Sequence, residues 1–148
     1  NVMIDVVVGQ QNMHYSKIIN RFGDSKNVKI YRQVENMAEL INQADLALGA
    51  GGVALLERAF LGLPSIILAI AENQIENSRA IDFYGAAKFL GWYEDIEIVW
   101  LTDQINYLIS HPEQISYMET KALALTAETY MENCQTLLSL MGGKDENK

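Results

Sequence analysis

The sequence predicts an α/β fold: a Rossmann-like, doubly wound parallel sheet with helices on both faces, followed by C-terminal helices. Three observations predict it. Short β-branched runs alternate with segments of helical period, the connections between them are brief, and beyond about residue 100 only helical periodicity remains. A chain of 148 residues is a comfortable length for one domain and can bury roughly 70% of the surface its unfolded form exposes. We therefore expect a single domain over 1–148, with βα units over 1–100, helices over 101–141 and a tail over 142–148.

Met3 to Gln10 (MIDVVVGQ) is a continuous β-branched run ending at Gly9, as a strand buried on both faces of a parallel sheet reads. A helix is expected from about Tyr15 to Phe22, a second strand over Asn27 to Val34, and a short helix over Glu35 to Gln43 with Met37, Leu40 and Ile41 on one face. ADLALG is the third strand and GVALLERAFLG a helix closed by Gly62. PSIILAIA is the fourth strand, NQIENSRAIDFYG a helix closed by Gly85, and AAKFLG a short fifth strand. Pro112 at a first helical position and the pair Gly142-Gly143 bracket a long helical stretch, and KDENK reads as a solvated tail.

Composition narrows the function classes. The net charge of -8 argues against duplex nucleic acid as a partner, because binding a phosphate polymer needs clustered Lys and Arg. A single small anion at a helix terminus is still allowed. Cys134 is the only cysteine, so neither an intrachain disulfide nor a thiolate zinc site can form, which suits a cytoplasmic location. His14 and His111 are too far apart in sequence to suggest a metal cluster. The longest apolar run, Leu63 to Ala71, is interrupted by Pro64 and Ser65 and falls far short of the ~20 residues a membrane span needs. The chain begins at Asn1 rather than Met, which leaves a removed signal or an upstream domain open.

The loop LALGAGGVALLER is the one best equipped for a ligand, since ligands of open α/β sheets sit beyond the carboxyl ends of the strands. Gly51 and Gly52 let a ligand approach the backbone where a Cβ would collide, and they lead into a helix whose first N–H groups lack internal partners. A phosphate fits such a place; a tight strand-to-helix turn with no ligand explains the same glycines. Glu57 lies one turn into the helix, and its side chain leans back toward the turn. So near a phosphate, its natural task is to accept hydrogen bonds from ribose hydroxyls, whereas a solvated carboxylate paired with a neighbouring Arg or Lys is the plainer reading. Glu72 supports a rival: GAGGVA satisfies G-x-G-x-x-A, and Glu72 follows at about the spacing of a dinucleotide-binding acid. That fingerprint belongs in the first βα turn of its domain, and here two βα units precede it.

The segment from Val34 to Trp92, with GAGG, ER, LGLP and ENQ in that order, strongly resembles the C-terminal, UDP-binding domain of GT-B-fold proteins. The nearest likeness is to the UDP-sugar hydrolase family of pseudaminic acid and spore-coat polysaccharide biosynthesis. A more distant one is to the GlcNAc transferase that makes the lipid-linked peptidoglycan precursor. The likeness runs from about Ile4 to Trp92. It implies that Gly51, Gly52 and Val53 offer backbone N–H groups to the diphosphate and that Glu57 accepts the ribose hydroxyls. It also implies that the loop at Gln33 and Val34 reads the uracil edge through its backbone. Asn73, Gln74 and Asn77 would face the sugar, and Asn73 would help position a hydrolytic water. The implied ligand is a UDP-linked amino sugar, and no metal or cofactor is demanded.

Two departures bear on affinity: Val53 and Ala54 stand where relatives often carry hydroxyl residues, and Leu56 stands where an aromatic residue is common. The resemblance also implies a further βα unit ahead of this chain, whose strand lies mid-sheet, and an N-terminal domain that carries the main catalytic residue. Unpaired strand edges would then favour self-association, as a homodimer or a strand-swapped dimer. The leading expectation is the UDP-binding domain of a nucleotide-sugar hydrolase. The alternatives are the donor-binding domain of a GT-B glycosyltransferase and a non-catalytic nucleotide-binding or interaction module.

Overall fold

The computed structural model describes the backbone of residues 2–142 and the side chains of residues 2–127. The expected alternation is present: β1 (Ile4–Val7), α1 (Tyr15–Phe22), β2 (Val28–Tyr31), α2 (Met37–Gln43), β3 (Ala47–Ala50), α3 (Val53–Phe60), β4 (Ser65–Ala69), α4 (Ile75–Tyr84) and β5 (Ala87–Trp92), then α5 (Ile98–Ser110) and α6 (Pro112–Gly142). Two 3-10 turns, Glu72–Gln74 and Tyr93–Asp95, follow β4 and β5. Of the tail expected at 142–148 only Gly142 is described, as the last residue of α6; residues 143–148 and the side chain of Cys134 lie outside the described residues.

All ladders are parallel, but they form two sheets, β1-β2 and β3-β4-β5. The chain correspondingly divides into two compact units, 1–39 and 40–148.

In the first unit β1 and β2 pair in register from Ile4 with Val28 to Val7 with Tyr31. Beyond their carboxyl ends Arg32 Nη2 donates to the Gln10 carbonyl (3.4 Å), and its guanidinium lies 4.8 Å from the centre of the Tyr15 ring. The burial expected on both faces of β1 is not found. Ile4 is 49% and Val7 43% exposed, because this strand has a single ladder partner and a single crossover helix; only Val8, just past its end, is buried. Helix α2 begins two residues later than expected because Asn36 caps it: the Glu39 N–H donates to Asn36 Oδ1 (3.3 Å), and Asn36 Nδ2 donates to Glu39 Oε2 (3.4 Å). The first bond is a side-chain N-cap, and the second ties the two side chains together.

In the second unit β4 is the central strand, and its side chains alternate between two cores. Ile67 packs with Leu55, Ala59, Ile81, Ala87 and Ala122, and so against α3, α4 and α6. Ile66 packs with Leu90, Leu108 and Met118, and so against α5 and α6. A sheet covered on both faces is what the unbroken apolar run SIILA encodes. Helices α3 and α4 end the same way. Leu63 N–H bonds the Arg58 carbonyl and Ala86 N–H the Ile81 carbonyl, with Gly62 (φ 78°) and Gly85 (φ 86°) in the left-handed conformation those turns require. No helix among the described residues is long and apolar enough to cross a membrane.

Candidate functional site

In a parallel sheet all strands end at the same edge, so the turns after β3 and β4 are neighbours. Leu48, Gly49 and Ala50 stand beside Ile66, Ile67 and Leu68 in the ladder. Between those turns lies a cavity of about 190 Å³, lined by Gly51, Gly52, Val53, Leu55, Leu56, Asn73, Gln74 and Asn77. Six residues singled out in the sequence thus meet: Gly51, Gly52 and Val53 from the turn that opens α3, and Asn73, Gln74 and Asn77 from the 3-10 turn after β4 and the first turn of α4. The N-terminal ends of both helices border it, and a helix N-terminus carries unpaired N–H groups and a partial positive charge. Gly52 sits at the N-cap of α3 in extended conformation (φ -85°, ψ -157°) with no side chain to cap the helix, and its carbonyl accepts from the Leu55 N–H at 2.9 Å.

The two central glycines differ in what they make room for. A Cβ on Gly51 would collide with Ser78 Oγ and crowd Ile67 Cγ2 (3.3 Å) and Gln74 Cβ (3.4 Å). Gly51 is therefore needed for packing α4 against the turn. A Cβ on Gly52 would meet only Gln74 Nε2, at 3.5 Å, so the space over Gly52 is open. Gln74 is itself held by the Ile70 N–H, which donates to its Oε1 at 3.1 Å, so the amide is fixed between the two turns.

Arg58 braces the turn from behind. Its Nη2 donates to the Ala50 carbonyl (3.0 Å), its Nε to Ser65 Oγ (3.0 Å), and that hydroxyl donates on to the Leu63 carbonyl (3.2 Å). Because a trans peptide sets N–H and C=O opposite, the Gly51 N–H is aimed away from Arg58. Burial lowers the Arg58 pKa, and the Glu57 carboxylate partly offsets this; the guanidinium nevertheless stays charged at any ordinary pH. Arg58 belongs to the ER pair of the resemblance and Ser78 carries no signal beyond its place in a helical run; neither contact is legible in the sequence, since both depend on what α3 and α4 pack against.

Glu57 is exposed on α3 and is not part of the cavity lining. Among the described residues its carboxylate has no hydrogen bond, and it acts on the neighbouring Arg58 through charge alone. Glu72 is exposed at the start of its 3-10 turn and does not line the cavity either. Gln33 and Val34 lie in the loop after β2, in the other compact unit, with Gln33 exposed and Val34 half-buried. His14 precedes α1, where its N–H donates to Asn12 Oδ1 (2.8 Å), and His111 stacks on Tyr107 at the end of α5.

Comparison with known proteins gives this geometry a context. The glycosyltransferase family 28 C-terminal domain matches residues 2–134. The spore coat polysaccharide biosynthesis protein SpsG of Bacillus subtilis is 31% identical over 111 residues, which is 74% of this chain and 33% of that protein. The UDP-N-acetylglucosamine--N-acetylmuramyl-(pentapeptide) pyrophosphoryl-undecaprenol N-acetylglucosamine transferase of Lactococcus lactis is 28% identical over 118 residues, 76% of this chain and 32% of that protein. The crystal structure of Acinetobacter baumannii MurG superposes with a TM-score of 0.65 at 22% identity, over 84% of this chain and 38% of that one, which establishes a shared fold. The chain spans about a third of the length of the curated relatives named here.

Proposed function

Because the chain belongs to the glycosyltransferase family 28 C-terminal domain family, we propose that it binds the nucleotide-sugar donor of a GT-B glycosyltransferase, with a UDP-sugar as ligand. The observation that carries this reading is the convergence of two helix N-termini and three carboxamides on one cavity, with open space over Gly52. The backbone N–H groups of Gly52 and Val53 receive the diphosphate, helped by the dipole of α3. Asn73, Gln74 and Asn77 present amide donors and acceptors to the sugar hydroxyls. A cavity of about 190 Å³ is smaller than the roughly 300–1,000 Å³ of a drug-sized ligand site. It takes the diphosphate and the nearest sugar atoms, and the ribose lies outside it, within reach of the exposed Glu57.

In transfer, negative charge gathers on the leaving diphosphate as the glycosidic bond breaks. Fixed N–H donors and a helix dipole aimed at that group stabilise it without reorganisation. Hydrolysis of the same donor, the leading expectation from sequence, would use the same cradle with water as acceptor. The family match favours the transferase reading, and pseudaminic acid chemistry has no support beyond the resemblance. Under the hydrolytic reading Asn73 would orient the water, and unchanged turnover of Asn73→Ala in the whole enzyme would remove that role. For Gln33 and Val34 we propose the uracil-reading role that the resemblance implies.

The test is calorimetric titration of the chain with UDP, UDP-GlcNAc, NAD and AMP. Binding of the two uridine ligands, with NAD and AMP silent, is the expected result. Binding of NAD in preference to UDP would replace this reading with a dinucleotide site, and binding of none would leave a non-catalytic module.

A further inference from the structure

The carboxyl end of β5 carries a group of side chains that the reading above does not use. The β4-β5 ladder is irregular: Ile67 pairs with Phe89, but Leu68 pairs with Gly91 and Ala69 with Trp92, so Leu90 is an extra residue and Gly91 takes a positive φ of 118°. Such bulges re-aim the residues that follow and are frequent beside functional sites. Here those residues are Trp92, Tyr93 and Glu94. Trp92 Nε1 donates to Glu94 Oε2 (3.2 Å) and the Tyr93 hydroxyl to Glu94 Oε1 (2.9 Å), so one carboxylate ties both rings, whose centres are 5.7 Å apart at 49°. Tyr93 is 46% exposed and Glu94 is also exposed.

We propose that Trp92, Tyr93 and Glu94 form a shelf for a pyranose ring, next to the cavity on the same edge of the sheet. Trp92 is the ladder partner of Ala69, four residues before Asn73, and adjacent strands lie about 4.8 Å apart. The chemistry of the group selects a sugar. Aromatic faces carry negative quadrupolar charge and attract the C–H face of a pyranose. A carboxylate has about four acceptor sites, of which the two rings use two, so the rest accept sugar hydroxyls. The same carboxylate repels a phosphate, which distinguishes this shelf from the glycine turn.

Two sources supply such a ring: the sugar of the donor nucleotide, which rests on the function proposed above, and a separate glycan. The sequence holds two tryptophans, so a Trp100→Phe chain reports on Trp92 alone. It is titrated with UDP, UDP-GlcNAc and N,N′-diacetylchitobiose, with Trp92 emission as the readout. We expect emission to change with a sugar-bearing probe and not with UDP. A change with UDP-GlcNAc alone assigns the donor sugar, and a change with the disaccharide assigns a glycan. Glu94→Gln and Tyr93→Ala in this background should weaken the sugar-bearing probe about three- to tenfold and leave UDP affinity unchanged. No emission change with either sugar probe, an equal change with UDP, or variants that weaken UDP and UDP-GlcNAc alike would overturn the shelf. If UDP fails to bind while the disaccharide moves Trp92, the donor reading falls and the shelf stands.

Discussion

Ser78 Oγ fills the space that a Cβ on Gly51 would need, and this fully buried hydroxyl has no hydrogen-bond partner among the described residues. The turn and the first turn of α4 are thus fitted to each other at the level of one atom. An unpartnered buried hydroxyl costs about 1–3 kcal/mol.

Ser78→Ala should therefore leave stability unchanged or raise it by up to about 1–2 kcal/mol. Gly51→Ala should lower it by about 1–3 kcal/mol through overpacking. In the double variant most of that loss should be recovered, because the colliding oxygen is gone. Urea denaturation of the four proteins gives the cycle. Strictly additive effects would show that the two positions do not share this space.

Gly52→Ala separates ligand from fold. The site is open and its backbone is extended, so stability should fall only by on the order of 0.5–1 kcal/mol, the cost of a poorer N-cap. UDP affinity should fall at least tenfold, about 1.4 kcal/mol, as the methyl group stands over the N–H groups. Calorimetry beside thermal unfolding measures both. If affinity survives, the glycine serves the turn alone.

Glu57→Gln should weaken UDP and spare 2′-deoxy-UDP, because the carboxylate is assigned to ribose hydroxyls. The expected loss is about three- to tenfold, the weight of one charge-assisted hydrogen bond exposed to solvent. Equal losses for both nucleotides would place the ribose elsewhere.

Arg58→Ala should cost about 2–4 kcal/mol, because it strips donors from the Ala50 carbonyl and from Ser65 Oγ. Arg58→Lys should restore only part of this, since an ammonium cannot span both acceptors as a planar guanidinium does. The difference between wild type and Arg58→Ala should be flat in pH from weakly acidic to weakly alkaline conditions. A base whose folded pKa is lowered binds fewer protons folded than unfolded only near its own titration, and for Arg58 that lies at strongly alkaline pH, where losing the proton favours the fold. Urea midpoints across pH check this.

The hydrogen bond and charge of Glu94 raise the Tyr93 pKa, while the Trp92 and Tyr93 hydrogen bonds lower that of Glu94. The sign follows for each. The Tyr93 contribution is complete below the ordinary tyrosine value of about 10 and disappears as pH rises through the higher folded value. The Glu94 contribution is present above the ordinary carboxylate range and disappears as pH falls through a lower folded value. Phenolate absorbance, with a Tyr93→Phe chain as the blank, should place Tyr93 above its usual value, and Glu94→Gln should return it there.

The periodicities of the sequence determined the order of the elements: β-branched runs and glycine-closed helical segments encode local backbone choices, and each strand and helix forms where its own residues favour it. Local chemistry also placed the cavity, since a strand ending in Gly51-Gly52 must deliver a helix N-terminus to the sheet edge. Shifts of one or two residues came from side chains that act across a turn, such as Asn36 capping Glu39. Only the tertiary structure decided which glycine faces open space and which faces Ser78, that Arg58 braces the turn, that Leu90 bulges, and that β1 stands half-exposed in a two-stranded sheet. Those features depend on which atoms of distant segments meet, and a linear pattern records how each segment prefers to fold but not what it will touch.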